Sequence, residues 1–472
     1  MASGRMDFGM DFGPKGAGSR KPREPDAPMR LLLLGDFSGR PASERTPLAT
    51  RPTLRVDVDN FDATMARLAP RVSTGVGDIA FASLDDFHPD ALFAKLPLFQ
   101  ALRTARTQPP PASTVAPAAP AGSASDEASP LSALLGGTPA GVASSRAAAK
   151  SADEGFDAMI RRIVAPHIVP DRTAETRSYV AAVDSAIAEQ MRQVLHDPAF
   201  QSREAAWRGV QWLVANLELD ETLQLHLFDV TREELLLDYI NAGAEVAKTG
   251  LHAALVDRWR NQPGGLGWSA VVSLYRFGAS PADIGLLAEL AMVAAKARGP
   301  VFAEGDPALA DAEAPGLDDW NELRKSDLAR WIGLVAPRLL MRRPYGARDE
   351  RIDAFAFEEL GNTPAHEHYL WASGALACAL LLGRAFRAAE GWSFSPNDER
   401  DIGDLPSATR IDRDGDKELV PSAERFMGDA QAERLLGAGL MPLLSHRHLN
   451  AAQLMRFQSI AEPAATLAGL PE

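Results

Sequence analysis

From Gln108 the chain runs "QPPPASTVAPAAPAGSASDEASP" and continues to Ala152 through more Ala, Gly and Ser. No other feature constrains the fold as strongly, because a Pro/Ala/Ser-rich tract has too little apolar surface to bury a core. The hydrophobic residues of the 472-residue chain are thereby divided into two blocks. We read residues 1–28 as a disordered tail, 29–107 as a small α/β domain, 108–152 as a disordered interdomain linker, and 153–472 as a larger α/β domain with a central sheet. As a coil of about 45 residues, the linker averages roughly 35–40 Å end to end. That lets its neighbours pack together without requiring them to.

The first block opens with "RLLLLG" (Arg30–Gly35), an unbroken leucine run of the kind found in strands buried on both faces. "LRVDVDNF" (Leu54–Phe61) alternates as a second strand, and "DIAFASLDDF" (Asp78–Phe87) is a third candidate. Pro89 opens a helix that Pro97 kinks or splits. In the second block Val180, Val183, Ile187, Met191 and Val194 form one stripe of an amphipathic helix, and "AAWRGVQWLVANLEL" follows as another. "TLQLHLFDV" (Thr222–Val230) and "WSAVVSLYRF" (Trp268–Phe277) read as strands. Thr231 with Glu234 makes a capping box, and Ser280-Pro281 starts a further helix. Strands alternating with helices imply a largely parallel sheet.

A net charge of −14 and a pI near 5.2 argue against a nucleic-acid partner, whose phosphates select basic surfaces. The single cysteine, Cys378, cannot form an intrachain disulfide, which suits a reducing compartment. The N-terminus has no apolar signal-peptide core. The longest apolar run, "LWASGALACALLLG" (Leu370–Gly383), falls short of the about 20 residues that span a bilayer. It reads as a buried helix, and the chain as cytoplasmic, without membrane insertion.

The leucine run empties into Gly-Asp-Phe-Ser-Gly, where a nucleotide-binding protein would hold phosphate. The motif fails that test. Gly35 and Gly39 are one residue too close for a P-loop, and Arg40-Pro41 replaces the required Lys-Ser/Thr. His366 and His368 are two apart rather than the four of a zinc helix, and His446 with His448 lacks a third ligand. Asp412–Glu418 has its glycine too early for a calcium loop. Asp85 and Asp86 would point apart on a strand, and Cys378 lies in an apolar helix that disfavours the thiolate. We therefore expect no catalytic residue, no cofactor and no metal. Within the linker, Leu131, Leu134 and Leu135 share one helical face. They suit either a docking motif for a groove or a short helix that packs on its own protein.

Two stretches resemble known families. "MRLLLLGDFSGR", "VDVDNFD" and "SLDDFHPDAL", within residues 29–106, resemble the small sheath subunit of type VI secretion systems, the TssB-like family. "HDPAFQSREAAWRGVQWLV", "DLARWIGLVAPRLLMRRPYG", "FAFEEL", "HYLWASGALACALLLGRAF" and "LLGAGLMPLLSHRH", in this order over about 155–462, resemble the large sheath subunit, the TssC-like family.

The resemblance implies a fused structural protein of a contractile apparatus that works by assembly and shape change. Implied partners are other sheath subunits or further copies of itself, an inner-tube protein, baseplate proteins, and an AAA+ unfoldase that would dock on Leu131, Leu134 and Leu135. Two departures stand out. The small-subunit part stops near Thr107, before the family's C-terminal helical region, and the large-subunit part ends short of the family's last segment. They leave open an accessory protein that binds sheath or baseplate without polymerising. An α/β enzyme diverged from the same fold is a third reading.

Overall fold

The computed structural model describes residues 26–107 and 175–471, apart from 244, 263, 312, 348–349, 362–363 and 412–416. The proposed linker, with Leu131, Leu134 and Leu135, lies outside the described residues, as does nearly all of the tail. The chain divides into two compact units. One takes the N-terminal residues to Pro70, Ser202–Arg343 and Leu370 onward; the other takes Arg71–Gln201 and Pro344–Tyr369. Each unit draws on residues from both sides of the linker.

The larger unit is built on a nine-stranded mixed sheet, as its α/β pattern requires. Its strands are β1 (Met29–Gly35), β2 (Leu54–Val56), β5 (Leu223–Asp229), β6 (Ala270–Phe277), β7 (Val301–Gly305), β8 (Ile332–Ala336), β11 (Asp401–Ile402), β14 (Leu440–Ser445) and β15 (Ala452–Leu454). Their spatial order is β11-β15-β14-β8-β7-β6-β1-β5-β2. β5, β1, β6, β7, β8 and β14 run parallel, with antiparallel strands at both edges. The short antiparallel pairs β9 (Leu339–Leu340) with β10 (Trp371–Ala372) and β12 (Ala408–Ile411) with β13 (Lys417–Val420) belong to the same unit.

β1 lies in the interior of this sheet, pairing Leu31 with Leu225 of β5 and with Ala270 of β6. All seven of its residues are buried, which explains a leucine run where an alternating strand would otherwise stand. Leu32 and Leu34 share a core with Ile284, Leu287 and Leu290 of the Pro281–Ala297 helix. Alternation turns Leu31 and Leu33 to the other face. The Ala375–Ala388 helix also packs on β1, β6 and β7. Gly209 lets that helix approach closely, because a Cβ there would lie 2.6 Å from Leu376 Cδ1.

The second unit packs the Glu175–Leu195 helix against Pro97–Thr107, with Val183, Ile187, Met191 and Val194 buried. Phe87 stacks on Phe81 with ring centroids 3.9 Å apart, and Phe200 meets both edge-on. Asp90 accepts the backbone N–H groups of Asp353 and Ala354, tying the two stretches of this unit together. Two expected strands are shorter than read. The second ends at Val56 because Asp57 Oδ1 accepts from the N–H groups of Asp59 and Asn60, turning the chain into the Phe61–Leu68 helix. The third is only β4 (Gly77–Ala80), hairpin partner of β3 (Arg71–Thr74). Asp86 then accepts from Ala82 and Ser83 to hold a 3-10 turn at Leu84–Phe87.

Candidate functional site, the seam around the first strand

The seam begins where β1 enters the sheet. Arg30 is 3% exposed, and its guanidinium carbon lies 4.1 Å from the Trp259 ring centroid and 4.3 Å from that of Trp268. Arg30 Nη1 donates to the Leu266 carbonyl at 3.1 Å, and its backbone N–H donates to Ser269 Oγ at 2.9 Å. Trp268 is held in turn by Nε1 donating to the Leu255 carbonyl. Burial lowers the Arg30 pKa to about 10, so the group stays charged at neutral pH. Burial, followed by the charges of Arg30 and Arg55, lowers His226 beside it to about 3, so that imidazole stays neutral. A cation flanked by two indoles is a favourable buried arrangement, and the neutral imidazole packs on the same two rings.

At the other end, the loop after β1 is gripped by residues from the second block. Asp229 Oδ1 accepts the N–H groups of Phe37 and Ser38 at 2.8 and 2.9 Å, and Oδ2 accepts the Ser38 hydroxyl at 2.6 Å. Trp207 Nε1 donates to the Phe37 carbonyl at 2.9 Å, with the two rings edge-to-face. Asp36 closes its own turn by accepting from Gly39 N–H, pairs with Arg45, and meets Arg203 at 2.7 Å. Burial works against ionisation of Asp36; Arg203 and Arg45 overcome it and hold the carboxyl below its ordinary range. Arg45 also reaches Asp229 at 3.1 Å and Glu234 at 3.5 Å, and Arg51 forms a two-point contact with Glu234.

Three carboxylates and three guanidiniums therefore balance around this loop. The N–H groups that would cradle a phosphate are occupied by the Asp229 carboxylate. A turn rich in glycine here serves the chain's own packing. Sequence reading found the strand and its loop but missed Arg203, Trp207, Asp229, Trp259 and Trp268. Trp207 and Arg203 lie within the quoted "HDPAFQSREAAWRGVQWLV", and Asp229 and Trp268 within the quoted strands, but nothing in those segments points to Arg30 or Phe37.

The other sequence candidates are scattered. Cys378 is fully buried, and burial drives its thiol pKa well up. Asp86 caps a turn and pairs with Lys95, while Asp85 is exposed. His446 and His448 follow the end of β14 in an exposed turn rather than sharing a strand face. His368 stacks on His196 at 4.0 Å, beside a cleft of about 450 Å³ lined also by Glu189, Arg192 and Gly361. Among the described residues, no group of three His, Cys, Asp or Glu side chains could hold a metal ion. No helix among them is long and apolar enough to cross a membrane.

Comparison with known proteins follows the two sides of the seam. The family model VipB, described as EvpB/VC_A0108, tail sheath N-terminal domain, matches residues 177–461. The VipA model, described as type VI secretion system, VipA, VC_A0107 or Hcp2, matches residues 15–109. The type VI secretion system sheath protein TssC1 of Pseudomonas aeruginosa is 29% identical over 314 residues, covering 62% of this chain and 63% of that protein. The sheath protein TssB1 of the same organism is 39% identical over 92 residues, covering 17% of this chain and 54% of that protein. The chain thus spans less than two thirds of the length of either relative. The chain belongs to the VipB tail sheath family, and its N-terminal part matches the VipA model.

Proposed function

We propose that this chain is a structural, sheath-type subunit of a type VI secretion contractile apparatus, acting by assembly with no catalytic step. The observation that carries the reading is β1: a strand from the VipA-like segment occupies the middle of the VipB-like sheet, with both neighbours parallel to it. Two relatives match the two parts separately, so the chain unites in one molecule what those relatives divide between two. It would join other sheath subunits or further copies of itself. An inner-tube protein, baseplate proteins and an AAA+ unfoldase docking on Leu131, Leu134 and Leu135 complete the proposed partners, in the cytoplasm.

Electron microscopy of the purified chain, alone and mixed with a separate small/large sheath pair, tests this. Tubes or rings from the chain alone, or its incorporation along the sheath wall, are expected. Particles that bind only at sheath ends would make it an accessory component, and no association at all would leave shared ancestry as the meaning of the resemblance.

A further inference from the structure

An alternating strand carries its own register, because a one-residue slip turns its apolar side to water. β1 lacks that information over Leu31–Leu34. Four identical side chains, all 0% exposed, meet apolar surroundings on both faces. Sliding the strand by one residue along β5 and β6 replaces leucine with leucine at most of these positions. The choice of register therefore falls to the ends.

At the leading end, a slip of one residue would turn the Arg30 side chain to the opposite face of the sheet, away from Trp259 and Trp268. A buried cation would lose both rings and the Leu266 carbonyl. At the trailing end, a Cβ at Gly35 lies 2.9 Å from Leu274 Cδ1, so advancing Leu34 into that place requires the Leu274 side chain to move. A slip the other way brings Asp36 there and draws the N–H groups of Phe37 and Ser38 off Asp229.

We propose that the slot between β5 and β6 reads the register and identity of its strand through these two ends. It fits an extended apolar strand with an arginine five positions ahead of a glycine and Asp-Phe-Ser directly after it, and it refuses leucine-rich strands of other spacing. In this chain the fitting strand is the chain's own N-terminal segment. Arg30 is a positioning residue that acts through its tryptophan cage.

The test uses the full-length chain carrying Ser38→Cys and Asp229→Cys, whose native side-chain oxygens are 2.6 Å apart. This removes the Asp229 hold on the loop, reports native register as a disulfide, and leaves Arg30 as the hold at the leading end. Adding Arg30→Leu is expected to lower the disulfide yield, read by mass spectrometry of linked peptides, by at least about threefold. Arg30→Met, which keeps an apolar stem over the indoles, serves as a second variant. Leu33→Ala in the same background weakens packing but leaves Arg30 and its tryptophan cage intact, and is expected to keep the parent yield. Full disulfide formation in both Arg30 variants would overturn the proposal. So would an equal loss in Leu33→Ala, which would trace the effect to general destabilisation. Failure of both Arg30 variants to yield soluble protein, with Leu33→Ala soluble, would assign Arg30 to folding instead of register and would overturn it too.

Discussion

Asp229 holds Ser38 at two points, taking its backbone N–H on Oδ1 at 2.9 Å and its hydroxyl on Oδ2 at 2.6 Å. The residues lie 191 positions apart in the chain, on opposite sides of the linker. The pair is therefore a direct probe of how firmly the N-terminal segment is held. Asp229→Ala strands two backbone N–H groups and deprives Arg45 of a partner. We expect a loss of about 2–3 kcal/mol, seen as a lower denaturant midpoint, with Asp229→Asn milder because its amide oxygen still accepts.

Leu33 tests the apolar part of the same seam. It is 0% exposed between two parallel strands, so Leu33→Ala removes buried methyl groups where little can collapse to fill the space. A loss of about 2–5 kcal/mol is expected. Val58, 77% exposed just beyond β2, is the contrast: Val58→Ser should stay within about 0.5 kcal/mol of the parent. Equal effects at the two positions would mean that β1 is not an interior strand.

A pH signature comes from Glu289 on the Pro281–Ala297 helix. It is 0% exposed, neither carboxyl oxygen has a hydrogen-bond partner, and burial followed by the charge of Asp238 raises its pKa from 4.5 to about 8. The folded form therefore keeps a proton that the unfolded chain releases above 4.5. Stability from this group is full below that value and declines as pH rises toward about 8. Relative to Glu289→Gln, the parent should lose stability steadily between pH 5 and 8 and run parallel above. Denaturant midpoints that keep a constant difference across that range would contradict this.

Cys378 should be inert in the folded protein. It is fully buried in the Ala375–Ala388 helix, and burial pushes the thiol well above its ordinary pKa. A thiol-specific reagent at pH 8 is expected to label it only in denaturant; rapid labelling of native protein would show that this helix does not pack on β1, β6 and β7.

Much of the local structure was legible in the sequence. The Leu31–Leu34 run announced a strand buried on both faces, Thr231 with Glu234 does form the capping box, and Pro97 does split the helix, leaving Leu96 extended between Pro89–Lys95 and Pro97–Thr107. The errors were local competitions. Asp57 and Asp86 spend their carboxylates on nearby backbone N–H groups, cutting short two strands that alternation alone would extend. What no pattern could give was adjacency. Nothing near Arg30 points to Trp259 or Trp268, and nothing near Phe37 points to Asp229, because these contacts form only after the segment enters the sheet. Linker composition sets reach, and it carries no information on where the segments at its two ends meet.

The N-terminal segment supplies an interior strand to the sheet of its own chain. The most direct test is a specific protease site placed within residues 108–152, cleavage of the full-length protein, and size-exclusion chromatography under native conditions. The two pieces are expected to co-elute in a 1:1 ratio at the position of the uncut chain, held by β1 between β5 and β6. Pieces that separate and elute independently without denaturant would contradict it.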